Sequence, residues 1–310
     1  MGTRINPGAL SGLLLARVVA ATAVLLWATP EAQSARGLKS APSRRGAKAP
    51  PRPAQRRGRD PGEREAAGRH WRVTTPRGPV HLWIPDRYEP LLAGFVFYVH
   101  GYYTSVDEAW RAHGLAAQFA ASRKNALFVA CEAPQGGNEE PFWDSLSALA
   151  AAATRAFAET GHTVPQVPEV VVVGHSGAWR TIVLWLADPV SHIILIDALY
   201  GNERDFAAWV DAAEVTPDGD PTRALTMVAW DTLPAAEAFV DLFEDAVFAP
   251  QIPTRLDAFA DAARRARLYY MRSQYHHMEL VTEGKTIPVL LQRTALVGVR
   301  GHAHLQGSVR

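Results

Sequence analysis

Five consecutive residues, Gly174-His175-Ser176-Gly177-Ala178, have the types and spacing of a serine nucleophile on a sharp turn. Such a turn joins a strand to a helix, and small residues two before and two after the serine let the two elements approach closely. Gly174 and Ala178 fill those positions, with alanine where a second glycine is more usual. The motif follows the valine run 170–173 directly and opens the amphipathic stretch AWRTIVLWLA, which is the setting the turn requires.

A serine hydroxyl is a poor nucleophile without a neighbouring base. Downstream of Ser176, the stretch SQYHHMELV after the last strand offers His276 and His277; His277 is preferred because it lies farther into the loop. A carboxylate must orient that imidazole. Asp197 ends the run SHIILID and Asp231 follows ALTMVAW. Asp197 is preferred because an otherwise apolar strand turns charged there, whereas Asp231 could equally cap the following helix.

Acyl transfer also needs backbone N–H groups aimed at the developing oxyanion. Gly177, directly after the nucleophile, supplies one. The strand end FYVHGYYTS supplies the other, because the turn at His100-Gly101 leaves the Tyr102 amide as a donor. His100 precedes the nucleophile in the chain and is read as structural. The loop after residue 131 should overhang the pocket together with Tyr102, Tyr103 and Tyr200. Tyr103, Glu132 and His175 are the candidate substrate-binding residues, and a rim of aromatic and acidic groups suits a polar substrate. His302 and His304 are assigned no role.

The elements that must hold these residues alternate. Strands are predicted at 71–75, 79–85, 93–99, 125–131, 168–174, 191–197, 224–230 and 267–273. Helices are predicted near 106–122, 144–159, 177–187, 203–213, 234–246, 255–265 and 284–292. Alternating strands and helices imply βαβ units and a mainly parallel sheet, with chemistry beyond the carboxyl ends of the strands. The serine motif after VVVV, HG after FVFYV, an acid after a later strand and histidine after the last one together resemble the α/β-hydrolase superfamily. The resemblance covers roughly 70–310 in element order. It implies a mainly parallel central sheet of about eight strands flanked by helices and a Ser-acid-His mechanism.

Net charge is +1, but its distribution is uneven. Residues 36–69 hold eleven Lys/Arg against three Asp/Glu, giving +8, while residues 70–310 carry −8. An acidic folded part argues against nucleic acid as its substrate. Residues 1–34 read as an export signal or N-terminal anchor: Arg4 precedes an apolar stretch at 9–28, interrupted by Arg17, with small residues Ala32 and Ser34 beyond it. Residues 35–69, rich in Pro, Gly, Arg and Ala, read as a disordered basic linker able to touch an anionic surface. The single cysteine, Cys131, permits no intramolecular disulfide.

The expectation is therefore an exported periplasmic or extracellular serine hydrolase acting on an ester or amide of a small-molecule or cell-envelope substrate. No metal or organic cofactor is called for. Two alternatives stay open: a non-catalytic binding protein of the same fold, and an acyltransferase built on it.

Overall fold

The computed structural model describes residues 60–167 and 169–300. The export segment, the linker up to residue 59, and His302 and His304 lie outside the described residues. Among the described residues no helix is long and apolar enough to cross a membrane.

Ten strands form one sheet: β1 (Glu63–Glu65), β2 (Gly68–Thr75), β3 (Gly78–Pro85), β4 (Gly94–Val99), β5 (Ala126–Cys131), β6 (Val170–His175), β7 (His192–Ile196), β8 (Ala224–Ala229), β9 (Val247–Ala249) and β10 (Leu268–Arg272). Their spatial order is β1-β2-β3-β5-β4-β6-β7-β8-β10-β9. From β5 to β9 every neighbouring pair is parallel, while β1–β2, β2–β3 and β3–β5 are antiparallel.

The central strands are continuous apolar runs because both faces are covered. In β6, Val170 and Val172 enter one core, and Val171 and Val173 enter the other. The first core is closed by α3 (Leu146–Glu159), α4 (Trp179–Ile182), α5 (Glu203–Asp211) and α6 (Leu233–Val240). The second is closed by α1 (Val106–Ala112), α2 (Leu115–Ser122), α7 (Asp261–Arg265), α8 (Glu279–Thr282) and α9 (Thr286–Leu290). Serines start two of these helices: Ser105 accepts from Glu108 N–H and Ser145 from Ala148 N–H. This mainly parallel sheet with helices on both faces is the architecture expected from the sequence.

The differences are local. The sheet has ten strands rather than about eight, and the extra two, β1 and β9, are three-residue edge strands. Strand β1 and the start of β2 fall at 63–69, within the stretch read as linker. The backbone of Glu63–Glu65 pairs with 68–70 while its side chains stay largely exposed, so composition alone could not reveal it. The helix predicted at 106–122 is split at Gly114 (φ +57°), and that near 284–292 is preceded by α8, with Gly284 (φ +72°) between α8 and α9. Left-handed backbone cannot continue a helix. After β6 the chain makes a 3-10 turn (Ser176–Ala178), four residues of α-helix, and another 3-10 turn (Val183–Trp185).

Candidate active site

The carboxyl ends of β4, β6, β7, β8 and β10 deliver His100-Gly101, Ser176, Asp197, Trp230-Asp231 and the 273–278 loop respectively. Ser176 has φ +54° and Asp197 φ +46°. Left-handed backbone at a non-glycine residue is costly and persists where the surroundings enforce it. At Ser176 the enforcement is packing. A Cβ on Gly174 would lie 2.3 Å from Ile182 and 3.0 Å from the Ala178 Cβ, so strand and helix meet without a gap. Ala178 fits there fully buried, and the departure from glycine at that position does not open the turn.

Gly101 comes equally close from β4. A Cβ there would lie 2.7 Å from Ser176 Cβ and 3.3 Å from its Oγ, so the backbone at Gly101 borders the Ser176 side chain. Tyr102 N–H donates to no protein acceptor among the described residues. The Tyr102 ring lies against Gly177, whose own N–H stands at a helix start, where amides lack intrahelical partners. Arg180, one turn beyond Ser176, donates to the Gly137 carbonyl at 2.7 Å and reaches the Tyr102 hydroxyl at 3.4 Å. It clamps the 132–140 loop onto the Tyr102 turn.

His277 Nδ1–H donates to Asp197 Oδ2 over 2.6 Å. Asp197 is fully buried and accepts further bonds from the N–H groups of Trp230 (2.9 Å), Asp231 (3.1 Å) and Thr232 (2.9 Å) and from the Thr232 hydroxyl (2.7 Å). Burial alone would raise its pKa. The bonds from His277, Thr232 and Trp230 outweigh burial and hold the carboxyl well below the usual carboxylate range. Asp231 also approaches, with Oδ2 3.6 Å from His277 Nδ1.

His175 and Glu132, read from the sequence as substrate-binding residues, are both buried. His175 is 2 % exposed and donates from Nε2 to the His277 carbonyl at 3.1 Å. Burial, reinforced by the neighbouring His277 and His113, lowers its pKa to about 3, so it is a neutral strut tying β6 to the 273–278 loop. Glu132 is also buried, accepting from Val106 N–H at 3.2 Å and from Gln135 at 3.4 Å. Burial pushes its pKa up, but bonds to His100, Val106 N–H and Gln135 outweigh that and keep it low. His100 accepts from Ala133 N–H at 3.0 Å, the structural role expected of it. Tyr103, by contrast, is 91 % exposed, with its N–H held by the Gln135 carbonyl. Tyr200 and Trp230 are exposed nearby, the Tyr200 ring 6.5 Å from that of His277.

Sequence reasoning missed Thr232, which gives Asp197 two of its hydrogen bonds, and Arg180. The signal for Thr232 was present as a hydroxyl residue just after a strand end; nothing in the spacing marked Arg180.

No family model and no curated protein matches this chain. Among solved structures it is similar to a feruloyl esterase module from Clostridium thermocellum, with TM-score 0.48 and 14 % identity over 82 % of this chain and 96 % of that one. It is also similar to an S-formylglutathione hydrolase from Agrobacterium tumefaciens, with TM-score 0.40 and 9 % identity over 74 % and 94 %. A dienelactone hydrolase from Anabaena variabilis gives TM-score 0.43 and 12 % identity over 76 % and 100 %. All three are hydrolases by name, and at this level of similarity none lends this chain a substrate or a residue role.

Proposed function

We propose that this protein is a serine hydrolase that cleaves an ester or amide through an acyl-enzyme. The observation that carries the reading is the 2.6 Å bond from His277 to a fully buried, four-fold supported Asp197, at the sheet edge that also holds the strained Ser176. Ser176 Oγ attacks the substrate carbonyl carbon while His277 Nε2 takes the hydroxyl proton. Asp197 keeps the Nδ1 proton in place and offsets the imidazolium charge. The amides of Gly177 and Tyr102 hold the oxyanion as charge develops. The imidazolium then gives its proton to the departing alcohol or amine. In the second half, water loses a proton to His277 and attacks the acyl carbon; Ser176 regains the proton as the acid product leaves.

Tyr103, Tyr200 and Trp230 give the entrance exposed aromatic surface that suits a small organic acyl or leaving group. The export-like leader and basic linker make a periplasmic or extracellular substrate, small or part of the cell envelope, the natural partner. The test is labelling of the full chain by a fluorophosphonate probe, in wild type and Ser176→Ala. One label per wild-type chain, absent from the variant, is expected. A folded wild type that takes no label overturns the reading.

A further inference from the structure

We propose that Asp231 is a positioning residue that provides a second, solvent-facing carboxylate for His277 alongside Asp197. This rests on the reading of Ser176, His277 and Asp197 as the reacting set. Asp231 Oδ2 lies 3.6 Å from His277 Nδ1, against 2.6 Å for Asp197 Oδ2. One ligand-type atom from each of the three side chains falls within 4.8 Å of the others.

The usual structural explanation for an aspartate after a strand is a helix cap, and it fails here. The cap of α6 is Thr232, and its hydroxyl donates to Asp197 instead of accepting from the helix. Among the described residues the Asp231 carboxylate accepts no hydrogen bond, and His277 is the one basic side chain within ion-pair reach. Its backbone N–H, meanwhile, supports Asp197 at 3.1 Å. One residue therefore serves both members of the pair, the acid through its main chain and the base through its side chain.

The two carboxylates divide the task by exposure. Asp197 is wholly buried, while the Asp231 side chain is 55 % exposed. The buried acid fixes the ring through a short hydrogen bond. At 3.6 Å Asp231 is too far for a good hydrogen bond and acts through charge, greatest when His277 holds the serine proton. If Asp197 loses its charge, Asp231 is the carboxylate left beside Nδ1–H, and it keeps part of the tautomer control that a lone acid would lose.

The test is steady-state hydrolysis of a neutral 4-nitrophenyl ester by the full chain, in wild type, Asp231→Asn, Asp197→Asn and the double variant. In the wild-type background Asp231→Asn should lower kcat roughly two- to five-fold with KM unchanged. In the Asp197→Asn background the same change should cost about ten-fold or more. Equal factors in both backgrounds overturn the proposal, because a residue that merely shapes the loop would act additively. Asp197→Asn places an amide among four donors and can fail to fold, so Asp231→Lys provides an independent arm. That charge reversal should cut kcat about ten-fold at constant KM, with Asp231→Glu staying near wild type. A kcat for Asp231→Lys within two-fold of wild type overturns the proposal while leaving the hydrolase reading intact. A wild type that takes no fluorophosphonate label overturns both.

Discussion

At the carboxyl edge of the sheet, His277 donates to Asp197 over 2.6 Å; where α1 meets β2 and β3, His81 donates to Asp107 over 2.8 Å. The residue types match and the exposures are reversed. In the first pair the carboxylate is fully buried and the imidazole is 23 % exposed; in the second the imidazole is 4 % exposed and the carboxylate 35 %. His81 also has both nitrogens occupied. Its Nε2–H is given to Asp107, and its Nδ1 lies 2.8 Å from His70 Nε2. Trp110 stacks on both imidazoles, with ring centroids 4.5 Å and 4.8 Å away. Asp107 in turn holds Arg72 through two bonds of 2.6 Å and 2.7 Å. The hidden imidazole is a brace between helix and sheet. The accessible imidazole, with its acid buried instead, keeps a nitrogen for chemistry. If His277 is the base proposed above, what separates the two pairs is which partner meets solvent.

The sharpest way to break that contrast is to remove each histidine. His277→Ala should lower kcat by about three orders of magnitude or more, while the melting temperature stays close to wild type because the ring is partly exposed. His81→Ala should do the reverse. It leaves a void under Trp110 and strips Asp107 and His70 of a partner, at a cost of about 2–4 kcal/mol. Its turnover per folded molecule should be unchanged. Esterase assays paired with urea unfolding read both quantities. Turnover lost by folded His81→Ala, or unfolding caused by His277→Ala, would erase the distinction.

A smaller effect is expected from pH. Burial lowers His81 and His113 each to about 4, although the bond to Asp107 works to raise His81. Both are thus neutral in the fold, while an unfolded chain takes up the proton near pH 6.5. Their contribution is complete above pH 6.5 and is lost as pH falls from 6.5 toward 4. Asp107, held at about 2 chiefly by the Arg72 hydrogen bond, keeps its contribution until pH drops below 3.8. The unfolding free energy from urea titration should therefore fall already between pH 7 and 5, by about 1–2 kcal/mol per histidine, with the midpoint falling alongside. His81→Gln should flatten part of that slope. A midpoint constant over this interval would mean that neither ring is held neutral by the fold.

The His277–Asp197 contact was readable in the sequence and the His81–Asp107 contact was not, for a physical reason. Ser176 and Asp197 directly follow apolar strands and His277 lies in the loop after the last one, and a strand buried on both faces announces itself as a run such as VVVV or IILI. The brace depends on register: antiparallel pairing sets His70 opposite Trp83 and His81 opposite Arg72, which makes the two histidines diagonal neighbours, and Asp107 meets His81 because α1 packs against β3. None of this leaves a local pattern. The same holds for Glu132 and His175, whose burial is fixed by the Val106 amide and the His277 carbonyl, 26 and 102 residues away in the chain. Polar residues at strand ends look alike in sequence whether they line a pocket or support it.

The smallest expected effect concerns Arg72, and it tests whether exposure sets the strength of these pairs. Its bidentate contact with Asp107 has better geometry than the Asp231–His277 approach, yet its side chain is 45 % exposed. Exposed ion pairs gain little, because water screens the charges and two long side chains must be ordered. Asp107 would also retain His81 and its place in the first turn of α1, where the helix dipole favours an acid. Arg72→Gln should therefore cost about 0.5–1 kcal/mol in urea unfolding, well under His81→Ala, and most of the difference should vanish in about 0.5 M salt. A loss above about 2 kcal/mol that survives salt would mean that Asp107 behaves as a desolvated acid. In that case, partner exposure would no longer be what distinguishes the two pairs.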